Sequence, residues 1–235
     1  PSPFRETLEA IAFVSFDIIR LECFGMKAGA ATSVTLSTLF PILIAVLSGA
    51  VYFVRDYRPG WSPSRHLKLV REHAYFLLLL SYLVVPPVTH QQFQAMDCFT
   101  VSGLSVLRSD SSISCDDEDF KRFQNYNWCF LVLYLSIPLI WLRLLWRKRE
   151  RLVRKDRDAQ SGLQPYRFLY GPYRRDCYAT EVAESFRRIL FAGVVPLISQ
   201  KSDRSVAFGT FLALTSLIVY REVAPFELEV NNILN

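Results

Sequence analysis

The sequence lacks the motifs that mark the common classes of enzyme and metal protein. It contains no H-E-x-x-H, no G-x-G-x-x-G, no Walker loop and no C-x-x-C pair. Histidine is scarce, with 3 residues in 235, and His73 and His90 lie at opposite ends of one apolar stretch. On a helix they would be about 25 Å apart, which is too far to ligate one haem iron. We therefore expect a protein that is not an enzyme and that has no catalytic residue, cofactor or metal.

A cleavable signal peptide is also missing, because charged residues are scattered through the first 24 residues. The net charge of +5 does not indicate a nucleic-acid partner. The Lys and Arg residues lie mainly beside apolar stretches, where membrane topology and anionic lipid head groups explain them. Because the chain opens on Pro1 rather than on methionine, we expect it to be a segment of a longer protein.

Charge is absent from residues 28–54, a stretch long enough to cross a bilayer. Four further apolar stretches follow, at residues 74–88, 125–146, 178–200 and 205–220. Pro86-Pro87 is predicted to end the second helix and Pro138 to kink the third. The fourth stretch can cross only if its helix begins near Tyr178, because its uncharged part is short. The predicted fold class is an all-α integral membrane protein with about five transmembrane helices.

The loops between these stretches alternate in charge. The first loop is basic, the second is acidic and the third is strongly basic. Because Lys and Arg accumulate on the cytoplasmic side of membrane proteins, five crossings place the N-terminus outside and the C-terminus in the cytoplasm. The transmembrane domain would then cover residues 28–222 and the cytoplasmic tail residues 223–235. The alternative is a soluble helical bundle, which gives no reason for this sidedness.

Residues 1–27 precede the first span and combine apolar residues at helical spacing with interspersed charges. Ser2-Pro3 supplies an N-cap and a first helical position. We predict an amphipathic helix that lies on the outer membrane surface. A buried helix of a preceding extracellular domain is the alternative.

The cysteines agree with the predicted topology. Cys98 and Cys115 share the acidic loop, and an oxidising compartment would permit a disulfide there, with a stabilisation of about 3 kcal/mol. Two free thiols are the alternative. Cys129 lies inside the third span and Cys177 on the cytoplasmic side, where thiols stay reduced, while Cys23 has no obvious partner in the sequence.

Two groups of charged residues are candidates for function. Glu181, Glu184, Arg187 and Arg188 lie at the start of the fourth span, where Glu184 shares a helix face with both arginines. Ionisable groups inside a membrane are costly and suggest function, although the same residues could simply anchor the helix at the head groups. The second group follows the third span and is predicted to bind anionic lipid, with plain cytoplasmic topology as the alternative. Its members are Arg147, Lys148, Arg149, Arg151, Arg154, Lys155 and Arg157.

Several phrases of the sequence resemble a known family. They are Phe93-x-x-x-Asp97-Cys98, Ser112-Ile113-Ser114-Cys115, Ile137-Pro138-Leu139, Arg167-Phe168-Leu169-Tyr170-Gly171-Pro172-Tyr173-Arg174 and Glu181-x-x-Glu184-x-x-Arg187-Arg188. Together they resemble the transmembrane module, similar to transient-receptor-potential (TRP) channels, at the C-terminal end of large repeat-rich surface proteins of algae and other protists. The resemblance implies that Cys98 pairs with Cys115 and that further helices follow Asn235. The expected location is the plasma membrane or a ciliary membrane.

The resemblance implies a channel-like or sensor module that couples an extracellular region to the cytoplasmic face. The Gly171-Pro172 turn and the helix that carries Glu184 would transmit movement between the third and fourth spans. Residues 200–204 form a loop too short for a pore segment, so any pore helix is expected beyond Asn235. The alternatives are a non-conducting multi-span anchor or accessory subunit, and a lipid transporter, which would need a lateral cavity. The expected partners are membrane lipids, anionic ones included, and other membrane subunits or further copies of the chain.

Overall fold

A computed structural model describes residues 30–57, 63–101, 103–154, 160, 162–198 and 202–226. These residues are mostly helical. The α-helices in chain order are α1 Ala30–Asp56, α2 Pro63–Gln94, α3 Glu118–Arg147, α4 Arg149–Leu152, α5 Arg167–Tyr170, α6 Thr180–Ile189, α7 Val195–Ile198 and α8 Ser202–Val223. Gln164–Tyr166 and Arg175–Cys177 form 3₁₀ turns, and the π-helical turn Leu190–Val194 joins α6 to α7.

Four helices are long and apolar enough to cross a membrane. The candidate spans are Ala31–Asp56, Ser64–Gln94, Glu118–Arg147 and Val206–Val223. They coincide with four of the five predicted stretches, and the second is much longer than the predicted 74–88. The remaining stretch, predicted at 178–200, forms three consecutive helical pieces, α6, the π-helical turn and α7, and is not among the four.

The prediction that Pro86-Pro87 ends the second helix is wrong. α2 continues through both prolines to Gln94. A proline in a helix interior has no N–H to donate to the carbonyl one turn earlier, which made a break the natural expectation. Packing outweighs that loss, because Val85 and Val88 on the same segment are completely buried. Pro138 likewise lies inside α3 and is buried.

Side-chain hydrogen bonds fix the relative directions of the first three helices. Gln92, at the end of α2, donates through Nε2 to the hydroxyl of Thr38 near the start of α1, at 3.2 Å. Asn127, in the first part of α3, donates through Nδ2 to the backbone carbonyl of Gln92, at 2.9 Å. Both contacts join the end of one helix to the beginning of its neighbour, so α1 and α3 each run antiparallel to α2.

The later helices continue this alternation. Glu181, at the start of α6, contacts Tyr82 of α2, and Ala192 further along contacts His90, also further along α2. The helical pieces from α6 to α7 therefore run parallel to α2. Glu184 of α6 contacts Tyr220 at the end of α8, so α8 runs antiparallel to them. The direction thus alternates from α1 to α2, to α3, to the pieces from α6 to α7, and to α8.

The centre of the bundle is filled by large side chains. Leu131, Trp141 and Leu145 of α3 are almost completely buried, as are Val85 and Val88 of α2. The segment after α3 extends this core with Leu152, Leu163 and Leu169. Because lipid tails are as apolar as these side chains, close packing and buried hydrogen bonds hold such a bundle together in a membrane.

The acidic loop between α2 and α3 contains a small antiparallel sheet, which corrects the all-α prediction. Its strands are β1 Cys98–Val101, β2 Leu104–Leu107 and β3 Asp110–Ser114, in the order β1-β2-β3. Cys98 pairs with Leu107, and Val106 with Ser114. Gly103 follows β1 with a φ of +85°, which only glycine adopts without strain.

A disulfide joins Cys98 to Cys115, with the two Cα atoms 6.4 Å apart. This confirms the predicted pair and closes the sheet, because the bond ties β1 to the residue that follows β3. Cys129 and Cys177 form no disulfide with another described residue. The predicted amphipathic helix over residues 1–27, with Cys23, and the tail after Phe226 lie outside the described residues.

Candidate functional site

Glu184 is the centre of a buried ionic network near the start of α6. The residue is only 7% exposed. Arg187 binds both of its carboxylate oxygens, with Nε at 2.8 Å and Nη2 at 2.6 Å, which is the strong bidentate geometry. Arg188 adds a bond from Nε at 3.1 Å, and the hydroxyl of Tyr220 donates from α8. The helix face predicted from the spacing of these charges therefore exists, and it is tied to a second helix.

Glu181, one turn earlier, accepts two phenol hydrogen bonds. The hydroxyl of Tyr82 in α2 donates to Oε1 at 2.8 Å, and that of Tyr173 donates to Oε2 at 2.5 Å. Glu181 is 5% exposed, and a buried carboxylate without donors would be very unfavourable. The two phenols, from separate parts of the chain, are what allow it to be buried.

The formal charges of the network cancel. Glu181 and Glu184 contribute two negative charges, and Arg187 and Arg188 contribute two positive charges. Glu181 and Glu184 lie one turn apart on α6, which joins the two halves of the network. The carboxylates are buried, whereas the side chains of Arg187 and Arg188 are 40% and 48% exposed. The carboxylates of the network are therefore inaccessible, whereas its guanidinium groups are partly accessible.

The network lies where α6 begins and α8 ends. Glu181 is the second residue of α6, and Tyr220 is three residues from Val223, the last residue of α8. Tyr82 follows Ser81, whose hydroxyl accepts a hydrogen bond from Trp141 Nε1 at 3.2 Å. Trp141 precedes Arg147, the last residue of α3, by six residues, or about 9 Å of helix. Buried carboxylates need partners within the protein, and the contacts above supply them.

The Gly171-Pro172 turn places Tyr173 against two other parts of the molecule. Tyr173 is buried, and its ring lies 5.2 Å from that of Phe226 after α8. The next residue, Arg174, donates its N–H to the carbonyl of Pro225 at 2.8 Å. Burial and the hydrogen bond to Glu181 raise the pKa of the Tyr173 phenol, so this group stays a neutral donor. The turn thus connects the end of α8 to the carboxylate of Glu181.

The structure separates the members of the predicted anionic-lipid group. Four arginines are exposed at the end of α3 and just after it: Arg147, Arg149, Arg151 and Arg154. Lys148 instead turns back, donates to the carbonyl of Gly162 at 3.3 Å and lies over the ring of Tyr166. Burial, with Arg151 nearby, lowers the pKa of Lys148. Lys148 therefore has a structural contact, and Lys155 and Arg157 lie outside the described residues.

The π-helical turn between α6 and α7 packs closely on α2. Pro196 has no N–H to donate to the carbonyl of Ala192, four residues earlier, and that carbonyl is 2.9 Å from His90 Nδ1. Because a carbonyl can only accept, the Nδ1 atom of His90 carries the proton. Gly193 lies directly against the ring of Phe93. π-Helical turns often occur at functional sites, and here the turn locks two helices together.

Sequence reasoning found the charged half of the network and missed its partners. Tyr82 is 99 residues from Glu181, and Tyr220 is 36 residues from Glu184. Tyr220 ends the predicted fifth span, where tyrosine is common. Tyr82 lies in the middle of the predicted second span, and nothing in the sequence around it points to Glu181. In the part of the chain that the structure describes, no three His, Cys, Asp or Glu side chains gather as a metal site would require.

No protein family matches the sequence, and no curated protein and no solved structure is similar to the chain. The described residues define a mostly helical protein with four helices able to cross a membrane, a disulfide-closed sheet in one loop, and a buried network of two carboxylates, two guanidiniums and three phenols.

Proposed function

We propose that the chain is a five-span membrane module that couples an extracellular region to the cytoplasmic face, as a channel-like or sensor domain. Its N-terminus lies outside and its C-terminus in the cytoplasm, in the plasma membrane or a ciliary membrane. Its sequence phrases between Phe93 and Arg188 resemble modules similar to TRP channels, and on this ground we propose that it is such a module. Its partners are membrane lipids, anionic ones at the exposed arginines after α3, and other copies or subunits.

The observation that carries the proposal is the network around Glu181 and Glu184. It joins α2, α6, α8 and the turn at Gly171-Pro172 through hydrogen bonds to buried carboxylates. Because a buried carboxylate without a hydrogen-bond partner is costly, none of these elements can move without exchanging its polar partners. Such an arrangement suits concerted movement between discrete states.

The geometry of α6, the π-helical turn and α7 supports a fifth crossing. Together they form 19 consecutive helical residues from Thr180 to Ile198, which extend about 28 Å, close to the thickness of the hydrocarbon core. They run parallel to α2 and antiparallel to both α3 and α8. Five successive crossings require this alternation.

A second candidate function is a non-conducting anchor or accessory subunit. It is favoured by the filled centre of the bundle, where Val85, Trp141 and Leu145 are buried. An ion could not pass between these side chains, so conduction would need a path between several copies of the chain or between this chain and other subunits. The network would then hold the bundle rigid instead of allowing it to switch.

The number of copies in the native complex separates these functions. The full-length parent protein should be extracted gently from its membrane and its stoichiometry measured, for example by single-molecule photobleaching. A symmetric homo-oligomer, especially a tetramer, supports a pore on the symmetry axis. One copy among unrelated subunits supports the anchoring function and removes the case for a channel.

Glu184→Gln tests whether the network takes part in coupling. Glutamine keeps an oxygen that Tyr220 can bind, but it removes the charge that pairs with Arg187 and Arg188. Since both arginines are partly exposed and can be hydrated, we expect a loss of about 1–2 kcal/mol in stability, together with altered gating. Thermal melting of the purified protein and flux through the full-length protein measure the two effects.

Glu222→Gln is the matched control, because Glu222 is exposed near the end of α8. It should leave both melting and flux unchanged. If Glu184→Gln also leaves both unchanged, the network has no part in coupling.

A further inference from the structure

A cleft of about 720 Å³ opens between α6 and α8. One wall is formed by α6 and the π-helical turn, with Leu190 and Phe191, and the other by α8, with Leu212 and Val219. This α6–α8 cleft has the size of a ligand site, since pockets for drug-sized molecules range over about 300–1,000 Å³. Its mostly apolar and aromatic lining is also typical of such sites.

The hydroxyls of Thr180, Thr215 and Ser216 also line the cleft, but they donate to backbone carbonyls. The main polar region is formed by Glu184, Arg187 and Tyr220. Both oxygens of Glu184 are already occupied by Arg187, Arg188 and the Tyr220 hydroxyl. The acceptor that remains is the phenol oxygen of Tyr220, which lies beside the partly exposed guanidinium of Arg187. The formal charges of the surrounding network cancel, and Asp176 also lines the cleft. An anionic head group would therefore gain from Arg187 but would face two carboxylates. A hydroxyl group, which both donates and accepts, matches these surroundings without adding charge.

We infer that the α6–α8 cleft binds a neutral lipid with a hydroxyl head group and an apolar body, the class to which sterols belong. The hydroxyl lies at the Glu184 and Arg187 end, and the apolar body lies between Leu190 and Phe191 on one wall and Leu212 on the other. This occupant differs from the anionic lipids expected at the arginines after α3. The inference concerns binding alone and does not depend on conduction or coupling.

The position of the cleft gives its occupant contact with the network. The bond between Tyr220 and Glu184 lies between this cleft and a second one of about 380 Å³, which Tyr173 and Phe226 line from the other side. A molecule in the α6–α8 cleft would touch one face of the bond that ties α8 to α6. Lipid composition could thereby bias the packing of these two helices.

A photoactivatable sterol tests the inference. The full chain is reconstituted into discs of neutral phospholipid, labelled with a sterol that carries a diazirine, and digested for peptide mapping. The expected labels fall within residues 178–191 and 212–223, and excess unlabelled sterol removes them. A photoactivatable fatty acid, which bears a carboxylate, should label the same peptides about tenfold less at equal concentration.

Ala183→Phe should reduce the sterol label about tenfold, because Ala183 is exposed and lines the cleft, so that a phenyl ring there occupies the binding space. The matched control is Ala213→Phe on α8, which is exposed and lines only the second cleft, and its label should not change. Val219→Trp fills the cleft from the opposite wall and replaces Ala183→Phe if that variant does not fold.

Three results would overturn the inference. The fatty acid could label the cleft more strongly than the sterol, which would identify an anionic ligand. Sterol labelling could persist in a folded cleft-filling variant, which would place the sterol elsewhere. Both probes could fail to label the cleft, which would mean that another part of the protein or a second copy covers it.

Discussion

Gly193→Val is expected to destabilise the protein by about 3 kcal/mol or more, because added side-chain atoms in a packed interior force neighbours out of place. A Cβ atom at this position would lie 2.1 Å from Cδ2 of Phe93 and 2.5 Å from its Cε2. The ring of Phe93 is buried and belongs to the end of α2, so it cannot turn aside freely. Thermal melting of the purified variant measures the loss.

Gly49→Ala is the control for the helix environment. Gly49 lies inside α1, and nothing is within 4 Å of a Cβ atom built there. Alanine should therefore stabilise the protein by up to about 1 kcal/mol through its higher helix propensity.

Phe93→Leu combined with Gly193→Val should recover part of the lost stability, as residues in contact are energetically coupled. If Gly193→Val melts like the wild-type protein, the π-helical turn does not pack on Phe93 as described.

The long helices were predictable because lipid-spanning segments need long uncharged sequences. Residues 30–54 carry no charge and form all of α1 except its last two residues. The error at Pro86-Pro87 has a physical cause: a local rule for proline was applied where burial of Val85 and Val88 outweighs it. Local propensity is a weak guide where tertiary packing is extensive.

The sheet was not predicted, because the strand pattern in this loop is weak and its charged residues are more conspicuous. The charges of the loop carry the prediction of topology. The strands β1 and β2 contain only four residues each, too few to show a clear alternation of apolar and polar residues. Gly103 between them was the available sign of a hairpin turn. The disulfide was predictable without the sheet, since Cys98 and Cys115 share one loop between two predicted spans.

The candidate site was only half predictable for a different reason. Glu184, Arg187 and Arg188 are neighbours on one helix, so their spacing alone brings them together. Tyr82, Tyr173 and Tyr220 come from separate elements, and only the packing of these elements shows that they share two carboxylates. The predicted coupling turn Gly171-Pro172 lies directly before Tyr173, whose phenol donates to Glu181.

Replacing both Cys98 and Cys115 with serine is expected to destabilise the small sheet by about 3 kcal/mol. The disulfide closes a loop with a sequence separation of 17, and its removal increases the freedom of the opened loop. α2 and α3 already hold the ends of this loop through the contact between Asn127 and Gln92. The effect should therefore be local, with about a hundredfold faster amide hydrogen exchange in β1–β3.

Hydrogen exchange in the helices serves as the internal reference, because the contacts between α2 and α3 do not involve the disulfide. Cys129→Ser is the matched control: Cys129 is an exposed free thiol on α3, and its replacement should not change exchange in the strands. Unaltered strand protection in the double variant would mean that the Arg108–Asp97 ion pair, with Nε to Oδ2 at 2.6 Å, and the strand pairing suffice to hold the sheet. Faster exchange throughout α2 and α3 would mean instead that the disulfide stabilises the bundle, and that the loop and the helices open as one cooperative unit.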